Sequence, residues 1–288
     1  GRAATHPRCP VGRRFSNESG DVMDPFFYLI IAAGVIAGAS CGLLGAYIVG
    51  LRLPFVGIFV SHTAMAGTVF SYLLGLNPVV GAVAISALAA MSLAAIRPGR
   101  TRIDPNVAMA ILFSLVLGLT FLGIGLIQGT RTEILGLLWG SILFVRGSHV
   151  VIIAVAAATF VLFVALFNKE LKALLFSRGV ASATGVHETF VYALFLALCG
   201  VILAVNLPLI GGLMIFSLIT NPPAAAYQIC RGHRAVLVVS TAFGVLSTVG
   251  GFLVSYWADL PTGACIVLAS TLLFALSAGY RAFSGRTD

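Results

Sequence analysis

From Phe26 onward, long uncharged apolar runs alternate with short polar interruptions. Residues 26–50 are almost wholly apolar, and Gly34, Gly38 and Gly42 recur at four-residue spacing, which lines small residues along one helix face. That face predicts close helix–helix packing. A second run, from about Pro54 to Gly75, ends at a "GLNP" turn, and a third reaches Ile96 before the polar "RPGRTR". A fourth covers about 105–128 and is closed by "QGTRTE", after which 134–145 is too short to cross and reads as an interfacial or re-entrant piece. A fifth occupies 150–167. Residues 168–187, "NKELKALLFSRGVASATGVH", form the one sizeable polar interruption. Beyond them lie runs at about 189–205, turned by "NLP", at 209–229 across "NPPAAA", at 236–256, and after "ADLPTG" up to Tyr280. Runs approaching ~20 apolar residues span a ~30 Å hydrocarbon layer as helices. The pattern predicts an all-α, polytopic transmembrane bundle of eight to nine spans in one domain, residues 23–288.

Composition strengthens this reading. Of 288 residues, 59% are hydrophobic and 9% charged, too few charges to cover a soluble domain of this length. The balance of 17 Lys and Arg against 9 Asp and Glu would admit a nucleic-acid partner, so the placement of the charges decides. They cluster in short connections: Arg52; Arg97, Arg100 and Arg102; Lys169, Lys172 and Arg178; Arg231 and Arg234; Arg281 and Arg286. Such clusters mark cytoplasmic loops, and nine spans alternate correctly with the N-terminus outside and the C-terminus inside. Exposed aromatics are not interleaved with them, so nucleic acid is excluded and lipid is the expected surroundings. The cysteines sit singly, with no CxxC, and read as small packing residues. Residues 1–22 are polar and Arg-rich without an apolar h-region; they are expected to be a disordered or non-native segment rather than a signal peptide.

Chemistry has few places to reside. No G-x-x-x-x-G-K-[ST], G-x-S-x-G or H-E-x-x-H occurs, and no span carries paired carboxylates, so the chain is not expected to be an enzyme. His62, in "LPFVGIFVSHTAMAG", is the exception to a bland interior. A neutral imidazole about two turns into a span must satisfy a donor and an acceptor in low dielectric, and imidazole is a common ligand of zinc, manganese and iron. Either it serves transport or it is a structural histidine bonded to a neighbouring backbone carbonyl. Asp259, at the turn between the last two spans, is either an acid at the outer mouth or a helix-capping turn residue. Asp104 before Pro105 reads as an N-terminal turn residue. "LPFVG" at 53–57 recurs as "LPLIG" at 207–211, each read as opening a span on opposite faces, the kind of paired interruption that marks a transporter's path. The cytoplasmic stretch 168–187 is what a membrane subunit would use to dock a soluble motor, or else a plain surface helix.

Together, "GLLGAYIVGLRLPFVGIFVSHTAMAG", "FSRGVASATGV", "LPLIGGLMIFSLITNPPAAA" and "DLPTGACIVL" resemble the permease subunits of ABC-type zinc, manganese and iron importers, the ABC-3 family, over Met23 to Arg281. The resemblance implies a multi-pass permease of a prokaryotic inner membrane, paired with a second copy. It further implies cytoplasmic ATPase subunits, an extracytoplasmic substrate-binding protein and a transported divalent metal ion, with no cofactor of its own. By the same resemblance His62 matches the family's metal-path histidine within Ser61-His62-Thr63. The aspartate the family carries four residues earlier is Ile58 here. An Asp/His pair one turn apart can hold a dication; the histidine alone cannot hold it tightly, and manganese, which favours carboxylate oxygens, is less favoured than zinc or a softer ion. In the coupling segment Ser177 and Arg178 replace an Asp-Pro-Glu-like start, while Ala181 and Gly185 fit the family's later pattern. A permease for a metal chelate or small organic nutrient, and a self-contained secondary carrier or channel, are the alternatives. The latter would need more ionisable groups inside its spans.

Overall fold

The structure, a computed structural model, describes residues 25–95, 104–127, 147–176 and 188–284. Every regular element among them is helical. In chain order they are α1 (Pro25–Gly50), α2 (Phe55–Leu73), α3 (Pro78–Ser92, extended by a 3-10 turn over Leu93–Ala95) and α4 (Pro105–Leu126). There follow α5 (Gly147–Leu166), α6 (Asn168–Phe176), α7 (Glu188–Ile210), α8 (Gly212–Ile229), α9 (His233–Ala258) and α10 (Thr262–Ser284). Seven of them, α1, α2, α4, α5, α7, α9 and α10, are long and apolar enough to cross a membrane. With its 3-10 turn α3 reaches ~28 Å, and α8 ~27 Å, close to the hydrocarbon thickness. The nine expected runs are thus nine helices, with α6 as a short amphipathic addition in the polar interruption. The pieces 1–22 and 134–145 lie outside the described residues.

Local chemistry sets several boundaries. Asn77 caps α3, its side-chain oxygen accepting from the amides of Val79 and Val80 at 3.0 and 3.4 Å, with Pro78 in the first turn and Gly75 at φ 69°. Asp104 caps α4 in the same way, accepting from the Asn106 amide at 2.8 Å. One expectation fails here. "NLP" does not turn the chain: α7 runs through Asn206, Leu207 and Pro208 to Ile210, so "LPLIG" closes α7 rather than opening the next helix. In hydrocarbon a turn would strip more backbone groups of partners than the one amide a proline lacks, so the helix persists until Gly211, at φ 90°, breaks it.

Helices α1, α8, α9 and α10 pack as one group, and α2, α3, α4 and α7 as another; α8 also touches α2, and α5 touches α1 and α7. The glycine face of α1 meets Ser240, Gly244 and Thr248 of α9, themselves four apart. A Cβ on Gly38 would lie 2.6 Å from the Gly244 carbonyl oxygen, too near for any side chain. Ser240 Oγ donates to the Gly42 carbonyl at 2.6 Å and Thr248 Oγ1 to that of Gly34 at 2.8 Å. The small-residue stripe therefore does what its spacing predicts. In α8 Pro223 sits against Gly45, and Asn221 Nδ2 donates to Ser270 Oγ and Thr271 Oγ1 of α10 at 3.1 and 3.0 Å.

Among the described residues, the basic connections share one face. Asn106 Nδ2 at the start of α4 donates to the Arg52 carbonyl at 3.2 Å, Arg281 Nη1 donates to Gln228 Oε1 at 3.1 Å, and the Tyr47 ring of α1 meets that of His233 at 5.8 Å. Helix α2 is the most enclosed of the seven apolar helices, with 72% of its most apolar window buried against 22% for α4. It carries His62.

Candidate functional site

His62 lies near the middle of α2 and is 2% exposed. Its Nδ1 is 3.0 Å from the Ile58 carbonyl oxygen, one turn back. A carbonyl only accepts, so Nδ1 carries the proton and donates. The neutral ring then presents Nε2 as a bare lone pair, and that buried atom has no hydrogen-bond partner. One nitrogen is anchored to backbone, as the structural reading expects, and the other is left in the neutral form that can ligate a metal.

Helices α4 and α8 flank this stretch of α2. Phe113 of α4 meets it edge to face, centroids 4.9 Å apart at 86°. Ser61 Oγ donates to the Ile58 carbonyl at 3.0 Å and stands 3.5 Å from the Gly212 carbonyl oxygen, which ties this turn of α2 to the start of α8. One turn below, Gly57 faces Phe216 and Ile219 of α8. Thr63 Oγ1 donates to the Phe59 carbonyl at 2.7 Å and is not free for a ligand. Ile58 contributes its carbonyl but no charge. The site as it stands is closed: His62 is buried and its Nε2 has no route to solvent without a movement of the helices packed on α2.

Other polar groups fall elsewhere. Asn206 in α7 donates from Nδ2 to the Ile202 carbonyl at 2.8 Å and to Ser40 Oγ at 3.4 Å, while its Oδ1 is buried without a partner. Asp259 is the C-terminal cap of α9, in left-handed conformation (φ 51°, ψ 40°) and exposed; its turn is held by Ser255 Oγ donating to the Leu260 carbonyl at 2.6 Å. The structure does not bring Asp259 to His62. Ser177, Arg178, Ala181 and Gly185 lie outside the described residues, and α6 ends just before them. A cavity of about 280 Å³ opens between α2, α3, α5 and α7, lined by Thr68, Tyr72, His149 and Pro208 among mostly apolar neighbours, on walls that exclude Phe113 and Gly212. Among the described residues no group of three or more His, Cys, Asp or Glu side chains could hold a metal ion.

Phe113, Gly211 and Gly212 escaped the sequence reading. Phe113 is one of many aromatics in an apolar run; the only signal for the break was a Gly-Gly pair three residues after Pro208.

The sequence model of the ABC 3 transport family matches residues 23–281. The chain belongs to that family. The permease is 26% identical to a manganese transport system membrane protein, MntC, of Listeria monocytogenes, covering 86% of this chain and 88% of that one. It is also 26% identical to the chelated iron transport system membrane protein YfeD of Yersinia pestis, over 92% and 89% of the two chains. Among solved structures it superposes on a chain of PsaBC from Streptococcus pneumoniae, determined with a Fab, with a TM-score of 0.78 at 25% identity, covering 88% and 91%. The ABC 3 permease is thus a transport protein, not an enzyme, and a multi-pass protein of the inner membrane.

Proposed function

We propose that this permease imports a transition metal, zinc, manganese or iron, with His62 on the path. The observation that carries the reading is the unpartnered Nε2 at the centre of the most enclosed helix, in a family of transport permeases. A buried acceptor without a donor is costly in hydrocarbon, and function is the common reason such a group is kept. The named relatives, a manganese permease and a chelated-iron permease, support the cargo class.

Work must come from outside the chain, because it carries no nucleotide-binding motif. Cytoplasmic ATPase subunits would dock on the basic face, through α6 and the segment from Ser177 to Gly185, and a binding protein would deliver cargo at the opposite face, where Asp259 lies. A second copy would complete the membrane unit. Transport then alternates between two arrangements in which α4 and α8 part from α2 on one side or the other.

The test is ATP-dependent uptake of zinc, manganese and iron, each as free ion and as citrate complex, by proteoliposomes holding the chain with its ATPase and binding protein. Uptake lost in His62→Ala with ATP hydrolysis retained is the expected result. Normal uptake in the variant, or no metal carried in any form, refutes the reading.

A further inference from the structure

The cavity of about 280 Å³ between α2, α3, α5 and α7 stands apart from His62, and its polarity is graded along the membrane normal. Helix α2 begins beside Arg52 on the basic face, and α5 ends there, before Lys169. Tyr72 near the end of α2, Val79 in the first turn of α3 and His149 in the first turn of α5 therefore lie at the opposite, outer face. Thr68 and Ile153, each four residues further in, lie ~6 Å deeper. The floor includes Ala82, Ala204 and Leu207, all buried, and the two alanines are small enough to leave a hollow.

Below the rim the lining side chains offer a single hydroxyl, and Thr68 Oγ1 is already donating to the Ala64 carbonyl at 3.1 Å. Water needs two to four polar partners, so it is a poor occupant of such a space. An empty hollow forfeits the dispersion contacts of its walls. Its mouth is bordered by Val79 and Ile152, apolar side chains that are exposed on helices standing in the bilayer. What meets an exposed apolar opening there is lipid. The rim adds His149 and Tyr72, which can donate hydrogen bonds at headgroup level, and no Asp or Glu lines the cavity to repel an anion.

We infer that the cavity is a binding site for one phospholipid of the outer leaflet. The upper part of an acyl chain enters past Val79 and Ile152 and covers Ala82 and Ala204, while the phosphate stays at the rim with His149 and Tyr72. Lipid tails are as apolar as leucine, so leaving the bilayer gains the chain little; filling the hollow and the rim donors make the site selective. Pro208 and Leu209 line the same cavity just before Gly211, which seats the lipid between α2 and the last turn of α7. The inference does not depend on which cargo the permease carries.

The full chain, stripped of lipid in detergent, is titrated with dioleoyl phosphatidylglycerol. Bound lipid is counted by native mass spectrometry, and the melting temperature is followed in parallel, since a ligand of the folded state raises it. One retained lipid per chain and a saturable rise in melting temperature are the expected results. Val79→Trp, which covers the mouth from an exposed position, should weaken binding at least ~10-fold and abolish the rise. Leu88→Trp, also exposed on α3 but outside the cavity, should behave as the native chain does. If Val79→Trp does not fold, Ile152→Trp makes the same test from α5. Equal affinity in the native and mouth-covering chains overturns the inference. So does displacement of the lipid by glycerol phosphate without acyl chains, or a mouth closed by a second copy that retains no lipid.

Discussion

Two regions of the bundle bury polar atoms in hydrocarbon and treat them in opposite ways. Along the α1–α9 seam the hydroxyls of Ser240 and Thr248 reach backbone carbonyls of the facing helix at 2.6 and 2.8 Å, and glycines let the two backbones approach. The His62 ring keeps its hydrogen bond within one turn of α2, from Nδ1 to the Ile58 carbonyl, and its buried Nε2 has no partner. The seam spends polarity on holding helices together. The α2 site withholds it. A buried polar residue is informative, then, through the atoms it leaves unpaired rather than through its burial alone.

This contrast can be broken most violently at the seam. Gly244→Leu should prevent α1 and α9 from closing, at a cost above the ~1–3 kcal/mol typical of overpacking because the obstruction is backbone. The check is loss of the folded peak in size exclusion; a monodisperse variant with native melting temperature would refute the close approach. His62→Ala should show the reverse pattern, at least ~10-fold less uptake, or ~1.4 kcal/mol of lost transport competence, with little change in melting temperature. Stability should barely move because deleting an orphaned acceptor offsets part of the cavity left behind. Gly211→Ala comes next. Forcing a Cβ into positive φ should cost ~1 kcal/mol and slow uptake partially, since the strain falls beside the site. Thr248→Val should have the smallest effect, ~0.6 kcal/mol of stability for one interhelical hydrogen bond, with uptake unchanged.

The seam was legible in the sequence because it is written in a period: Gly34, Gly38 and Gly42 repeat every four residues, and no competing element reads that way. The caps at Asn77 and Asp104 were legible for a similar reason, as each precedes a proline that fixes the first turn. Pro208 misled. In water, Asn-Leu-Pro is good turn chemistry, but in lipid the alternative to a helix is a set of unsatisfied backbone groups, and the helix runs on to Ile210. At the site, His62 and its departure at Ile58 were visible as residue types. Phe113 and Gly212 were not, because they arrive from distant positions in the chain and only packing brings them to α2. Nor could sequence show that one nitrogen of the ring is anchored to backbone while the other is left without a partner.

Gly211 stands alone between two helices, so the orientation of α8 relative to α7 depends mainly on the two backbone torsions of one residue. The next carbonyl along, that of Gly212, is the one Ser61 reaches for. Swinging α8 on this joint necessarily changes the gap between Gly212 and the His62 turn. A force applied at the far end of α8, where Arg231 and Arg234 follow it, would therefore act on the His62 turn as a lever about its fulcrum.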